Sequence, residues 1–447
     1  MNSIGSCVLD ACAVLLRLYL YFNGWHERLQ SRPEVVTPAN SFKRVLEGAK
    51  LERLLGDAYA GDAFHEPPLV LALFRLLTAF DDRRRFLLPG LFCLADLVAA
   101  RLLASAVGQL VKKMARAVDA DGRMPTKART QLTFLDALPV AESADSLSTT
   151  CRLCYLLTPF SLLPCVALAT TTLQNLVLAV TLYCVVANKR PVALIAVVLA
   201  AYHSLYPLVL VPVVVLACVR PDATAAARTK QQNFWLEVCT CSLLALTLLT
   251  ALLYASSWLC AGSWTFLEKS YLFQLSVKDL NPNVGLFWYF FTEIFDQFRL
   301  FFLWVFPLNL VAFVPPLLLT LRRDPPLCFV VTGMIMTVFR PYQSVGDVAV
   351  FLAALPAWAH VAPITRHALL GSLAIVVCFA LAPVMWQLWI YAGSANANFF
   401  FAITLVYNLA QIFIATDLLN SCLRLEFYKK VGTRPEVDGK KAGVTLD

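Results

Sequence analysis

Within Asn283 to Leu300, NVGLFWYFFTEIFDQFRL, two carboxylates, Glu293 and Asp296, stand three residues apart with Arg299 just beyond, among Phe287, Trp288, Phe290 and Phe291. At about 100 degrees per residue, a helix over Leu286 to Phe302 would gather Thr292, Glu293, Asp296, Gln297 and Arg299 on an arc of about half the circumference. A carboxylate pair so placed can act as acid and base or hold a cation. No His, Cys or third acid accompanies it. The alternative is an interfacial helix whose polar face meets headgroups or a partner's loop, with Arg299 neutralising Asp296 across one turn.

A second constellation lies in WQLWIYAGSANANFF, Trp386 to Phe400. An apolar run ends in Trp389 and Tyr391, the chain turns through Gly393, Ser394, Asn396 and Asn398, and a new run starts with Phe399 and Phe400. Aromatic residues at both shoulders mark a membrane interface. A tight turn needs one capping amide, from Asn396 or Asn398. Two amides, a hydroxyl and a small residue are more than a cap requires, and they suit a sugar or phosphate headgroup. His65 and Glu66 in FHEPPL begin like a zinc-protease box, but Leu69 stands where the second His belongs, so no metal site is expected. His203 and Asp347 are expected to make hydrogen bonds between helices. The sequence has no GxSxG, P-loop or GxGxxG in a strand-to-helix context.

The elements that must position these residues are membrane helices. Of 447 residues, 59% are hydrophobic and 15% charged, and the mean hydropathy is +0.68, which is too apolar for an ordinary soluble domain. Runs such as Pro191 to Val219, Phe234 to Leu259 and Ala368 to Ile390 reach the roughly 20 residues that span about 30 Å of hydrocarbon. They are continuous rather than alternating, which excludes a transmembrane barrel. The expected fold is therefore all-α, a polytopic transmembrane helical bundle of about 10–12 spans.

One membrane domain is expected over residues 1–423. Cys7 to Phe22 is read as a retained first span, since it carries Asp10 and Arg17 and no small-residue cleavage site follows. Residues 23–67 form a polar loop containing an interfacial helix over Ser41 to Leu55. Leu69 to Phe80 either lies in the interface or crosses, placing Arg83, Arg84 and Arg85 in the cytosol. Further spans are expected over Phe86 to Val107, Leu153 to Leu168, Thr171 to Ala187, Phe301 to Leu321, Pro326 to Phe339, Val348 to Val361 and Phe399 to Leu423. Pro191 to Val219 is expected to bend at Pro207 or to form two helices. Residues 112–148 make a polar insert, and residues 424–447 a cytosolic tail.

The net charge of +8 comes from short clusters such as Lys112 and Lys113 or Lys429 and Lys430. That is loop charge rather than a nucleic-acid footprint. By the positive-inside rule it places residues 23–67, 261–285 and 391–398 on the side opposite the cytosol. Fourteen cysteines sit mostly within apolar runs. Cys151 with Cys154 and Cys239 with Cys241 lack a second pair at zinc spacing, so the cysteines are read as structural.

Six stretches carry a resemblance: RPEVVTPANSFKRVLEG, FHEPPL, YHSLYPL, NVGLFWYFFTEIFDQFRLFF, SVGDVA and LWIYAGSANANFFFAITL. In this order they resemble the PIG-U family, the multispanning subunit of the glycosylphosphatidylinositol (GPI) transamidase of the endoplasmic reticulum. The resemblance implies a non-catalytic subunit without cofactor that presents GPI, while a caspase-like cysteine peptidase subunit cleaves the substrate's C-terminal signal and transfers its carbonyl to ethanolamine. It then implies a GPI headgroup site at Ser394, Asn396 and Asn398, an acyl path along Phe287, Trp288, Phe290 and Phe291, and a polar face of Glu293, Asp296 and Arg299 for partners or the lipid's amines.

The family is also similar to mannosyltransferases that use dolichol-phosphate sugars, which carry an acidic pair in the first lumenal loop. Here SRPEVVTP offers Glu34 alone, with Val36 in the second position, so a mannosyltransferase remains the alternative. A transporter would need charge in mid-span, for which Asp10, Arg17, Asp96 and His203 are the candidates.

Overall fold

A computed structural model describes residues 3–81, 86–120, 124–219, 234–433, 436–437 and 440–441. The described residues form helices joined by turns and loops, save for a two-residue antiparallel pairing of Glu436 and Val437 with Lys441 and Lys440. Among the described residues, seven helices are long and apolar enough to cross a bilayer, and an eighth is added if the pair Ala141–Leu156 and Pro159–Val166, bent by 42°, is one broken span. Five more apolar helices are shorter, with 10–17 residues each. The all-α polytopic expectation is met.

Helix α1 (Ser3–Leu20) carries two charges into the bundle and is held there by them. Arg17 is 1% exposed. Its guanidinium donates to the Asp96 carboxylate at 3.1 Å, to the Leu156 carbonyl at 2.9 Å, to Ser161 Oγ at 2.9 Å and to the Ala13 carbonyl at 3.3 Å. Asp96 also accepts from the Tyr155 hydroxyl at 3.1 Å. Asp10 takes two donors from Arg101, at 3.0 and 2.7 Å, and lies 3.2 Å from Arg152. The three acidic and basic candidates for a transport path are thus consumed in joining α1 to its neighbours. Charge within a span survives by such pairing.

Helix α2 (Phe42–Leu55) buries Phe42, Val45 and Ala49 in a cluster with Phe64 and Phe74. It ends at Gly56, whose φ of 75° forms a left-handed cap with its N–H on the Glu52 carbonyl. Helix α3 (Pro68–Asp81) is too short to count among the crossing helices. The three arginines after it lie outside the described residues.

Helix α4 (Leu87–Ala120) runs 34 residues, well past the expected end at Val107. The first part of the polar insert is therefore helix, not loop. Lys, Met, Arg and Ala are strong helix formers whatever their polarity, and Lys113 reaches the Val186 carbonyl at 2.8 Å. Helices α5 (Thr126–Phe134), α6 (Ala144–Leu156) and α7 (Pro159–Val166) follow, then α8 (Thr171–Val186). The run from Pro191 divides as expected into α9 (Arg190–His203) and α10 (Val211–Val219), parted at Ser204, which is extended, and a short turn containing Pro207. Proline there removes an N–H and biases the residue before it away from helix.

Helix α11 (Phe234–Leu259) matches its hydropathic run end to end. Helices α12 (Phe287–Glu293), α13 (Asp296–Thr320), α14 (Pro325–Val338) and α15 (Ala349–Ala354) lead to the last pair, α16 (Ala368–Trp386) and α17 (Ala397–Val431). Helix α17 passes the expected tail boundary and ends at Gly432. Its Asp417 carboxylate accepts the backbone N–H of Arg366, His367 and Ala368 at 2.9–3.1 Å. It thereby caps the start of α16 from a different helix.

A buried polar knot ties the bundle's middle. Arg340 pairs with Asp347 at 2.5 Å and donates to Ser204 Oγ at 2.8 Å. Asp347 in turn accepts from the Ser344 N–H at 2.6 Å, the capping-box geometry. Val345 N–H reaches the Glu34 carbonyl at 2.9 Å, and Asn175 reaches the Gly346 carbonyl at 2.9 Å. Asp347 is buried and bonded but does not link helices as expected; its partners are Arg340, in the loop after α14, and Ser344. His203 lies 4.0 Å from Glu66. All fourteen cysteines are free thiols, half of them buried.

Candidate functional site

The opening motif does not fold as one helix. Helix α12 ends at Glu293; Ile294 and Phe295 are extended, with ψ of 145° and 138°, and α13 starts at Asp296. The expectation of a single polar arc over residues 286–302 is corrected by this break. In a continuous helix, residues 290 and 302 would lie roughly 18 Å apart along the axis at about 1.5 Å per residue. The break folds α13 back, so that the Phe290 and Phe302 rings meet at 4.9 Å and Phe287 and Phe306 at 4.8 Å. Aromatic edge-to-face packing outweighs the local helical preference here.

The charged residues separate accordingly. Glu293 and Asp296 are exposed, and Asp296 opens α13, where the helix dipole favours an anion. Arg299 does not neutralise Asp296. It donates to the Val277 carbonyl at 2.8 Å and lies 5.2 Å over the Phe291 ring. Val277 has a positive φ of 45°, and the guanidinium satisfies the carbonyl exposed at that turn.

The second constellation turns as expected. Gly393 has φ of 61°, Ser394 N–H returns to the Leu388 carbonyl at 3.0 Å, and the Asn396 side chain caps α17 by accepting from Asn398 N–H at 3.1 Å. Ser394, Asn396 and Asn398 are all exposed. Asn398 has a further task, since its amide oxygen accepts from the Tyr289 hydroxyl of α12. The Tyr289 phenol is raised above its ordinary pKa by desolvation and then by the Glu293 carboxylate beside it. Among the described residues, the side-chain N–H groups of Asn396 and Asn398 make no hydrogen bond.

The two constellations, a hundred residues apart in sequence, meet in one aromatic cluster. Trp288 lies 6.2 Å from Trp389, 6.2 Å from Phe400 and 6.1 Å from Phe401 by ring centroids. Tyr289 stacks on Phe401 at 4.3 Å, and Trp386 packs on Phe400 at 5.4 Å. Phe287 and Phe291 belong instead to a neighbouring cluster with Val277, against which Phe290 packs. Two indole N–H groups, of Trp288 and Trp386, are buried without a hydrogen-bond partner among the described residues. The result is a polar, exposed turn seated on an aromatic floor with unspent donors. Tyr289, Trp386 and Phe401 were not foreseen as part of it; aromatics at both shoulders of the turn were the signal for Trp386 and Phe401, and the aromatic run of the opening motif for Tyr289.

The remaining chemical candidates are structural. Glu34 accepts both arms of the Arg32 guanidinium, at 3.1 and 2.7 Å, so the lone pairs a general base needs are engaged. His65 stacks on Phe273 at 3.4 Å and bonds the Lys269 carbonyl at 2.8 Å. Burial pushes His65 down to about 4. Glu66 is buried against Thr170, and burial pushes its carboxyl up to about 8. Among the described residues, no three His, Cys, Asp or Glu side chains converge as a metal would require.

The Glu66 environment has a testable consequence. A carboxyl neutral in the folded state and ionised in the unfolded one loses stability as pH rises between its two pKa values, by about 1.4 kcal/mol per unit. His65, depressed from an ordinary value near 6.5, contributes a slope of opposite sign only below that value. From pH 6.5 to about 8, stability of the solubilised protein is therefore expected to fall with this slope, and Glu66→Gln to flatten it. Thermal unfolding midpoints across that window check both; equal slopes in the two proteins would contradict the assignment.

Comparison with known proteins decides what this scaffold is. The family model for the GPI transamidase subunit PIG-U matches residues 11–407. The chain belongs to the PIG-U family. It is 34% identical over 421 residues to the human GPI-anchor transamidase component PIGU, covering 93% of each chain. It is 28% identical over 421 residues to the GPI transamidase component GAB1 of Saccharomyces cerevisiae, covering 94% of each. As a PIG-U family member the chain is a multi-pass membrane subunit of GPI transamidase. These names carry the transamidase expectation and give no support to the mannosyltransferase alternative.

Proposed function

We propose that this subunit binds the GPI lipid and presents it in the endoplasmic reticulum membrane, leaving bond-making to a partner cysteine peptidase subunit of caspase-like type. The observation that carries the reading is the meeting of α12 with the α16–α17 turn. That meeting puts uncharged donors at an exposed rim directly above buried aromatic surface. GPI needs both, because its glycan must be held in water and its acyl chains in hydrocarbon.

In this reading Ser394, Asn396 and Asn398 hydrogen-bond the headgroup. Phe287, Trp288, Phe290 and Phe291 wall the acyl path. Glu293 and Asp296, exposed at the break between α12 and α13, face a partner subunit or the amines of the ethanolamine phosphates, and Arg299 fixes the break. No catalytic residue or cofactor is assigned to this chain; holding a lipid amine beside another subunit's acyl intermediate is a contribution by positioning.

The double variant Asn396→Ala and Asn398→Ala tests the reading. Two neutral hydrogen bonds at about 1 kcal/mol each correspond to a fall in GPI attachment of roughly thirtyfold, with complex assembly retained. Asn396→Ser keeps the cap on α17 and separates loss of the cap from loss of the amide. A double variant that assembles and attaches GPI at the normal rate removes the headgroup assignment. Sugar transfer from a polyprenol donor by the isolated subunit would overturn the reading as a whole.

A further inference from the structure

Below the aromatic floor, α16 and α17 part around an apolar cavity of about 100 Å³. Phe379 and Ala382 line it from α16, Ile403 and Tyr407 from α17, and the Arg32 and Glu34 pair closes one wall. Ala382 and Ile403 also belong to the Trp288 cluster, so cavity and floor are contiguous. For scale, an apolar cavity of about 150 Å³ takes a benzene molecule; this one has room for a short length of a single hydrocarbon chain.

One polar atom in it lacks a use. Tyr407 is 3% exposed, and its hydroxyl is buried without a hydrogen-bond partner among the described residues. The other hydroxyl in the lining, of Thr404, already donates to the Phe401 carbonyl at 2.9 Å. Buried hydroxyls are ordinarily satisfied, and an apolar cavity with a single orphan donor fits a ligand that is hydrocarbon apart from one acceptor. Arg32 is not free to attract a phosphate, because its guanidinium is committed to Glu34.

We propose that this cavity takes the ester end of one acyl chain of the GPI lipid, with the Tyr407 hydroxyl donating to the ester carbonyl. The source of the chain rests on the lipid-binding reading above. The glycerol would sit below the headgroup rim at the edge of the Trp288 cluster, with this chain's ester entering between α16 and α17 and the other chain on the aromatic path, so that the lipid is held at two points.

The test uses the purified transamidase complex in nanodiscs containing phosphatidylinositol with a diazirine close to the ester of one chain. A parallel sample carries an excess of unlabelled GPI lipid as competitor. Cross-linked peptides are mapped by mass spectrometry. Expected results are labelling at Phe379 or Ile403 that the competitor lowers at least fivefold, its loss in Ala382→Phe, and a fall of about fivefold in Tyr407→Phe, for one neutral hydrogen bond. Tyr407→Phe keeps the ring, so folding is retained if the bulkier variant fails to assemble.

Labelling elsewhere, or unchanged labelling in Tyr407→Phe, overturns the inference. Labelling undiminished by the GPI competitor makes the cavity a bulk-lipid site and overturns it too. The probe has no glycan, so it labels the Asn396→Ala and Asn398→Ala variant normally. A failed headgroup reading appears instead as normal GPI attachment in that variant.

Discussion

Arg17→Ala is expected to destabilise the solubilised protein by about 3–5 kcal/mol, the range for removing one partner of a buried pair. Arg17 makes contacts in α4, α6 and α7 as well as in its own helix, so its loss orphans several acceptors. Chief among them is the Asp96 carboxylate, left buried with the Tyr155 hydroxyl. Arg17→Lys restores the charge without the fork that reaches three neighbours and is expected to recover only part of the loss. Replacing both partners, Arg17→Leu with Asp96→Leu, removes the unpaired charge and should be milder than Arg17→Ala alone.

Arg101→Ala is the contrast. That side chain is 57% exposed though it holds Asp10 at 2.7 Å, and the buried Asp10 keeps Arg152 at 3.2 Å when it is lost, so its removal is expected to cost below about 1 kcal/mol. Thermal unfolding in one detergent ranks the variants. An Arg17→Ala protein as stable as the parent would mean that the charges of α1 are not what fastens it.

Hydropathy made the bundle legible because a bilayer demands unbroken apolar helix, and α11 and α16 match their runs closely. It misplaced the end of α4, since hydropathy measures polarity while Lys112 to Ala120 remain good helix formers. It also missed the break at Ile294 and Phe295, which nothing local announces. There is no proline or glycine there, and the break is repaid only by Phe302 and Phe306 reaching α12. The charges at positions 10, 17 and 96 looked scattered because chain separation hides the partners that α4 and α6 bring to α1. The candidate site was half visible in the same sense. Each constellation showed its own chemistry, and their meeting through Trp288 and Tyr289 is a tertiary fact.

Trp288→Ala is expected to have the largest effect on GPI attachment, exceeding the asparagine double variant. Truncating a buried tryptophan costs about 3–5 kcal/mol through lost contacts and the cavity left behind. Trp288 touches Trp389, Phe400 and Phe401 together, so the damage falls on the joint between α12 and the α16–α17 turn. None of these ring contacts involves the ion pairs that hold α1 or the Arg340 and Asp347 pair. The complex should therefore still form, while attachment falls by more than about thirtyfold and amide exchange quickens over residues 394–401. Trp288→Phe retains an aromatic face and is expected to keep an intermediate rate. If Trp288→Ala loosens the turn by amide exchange and yet attaches GPI at the parental rate, the aromatic floor is not where the lipid rests. If exchange there is unchanged, Trp288 does not hold the two helical ends together.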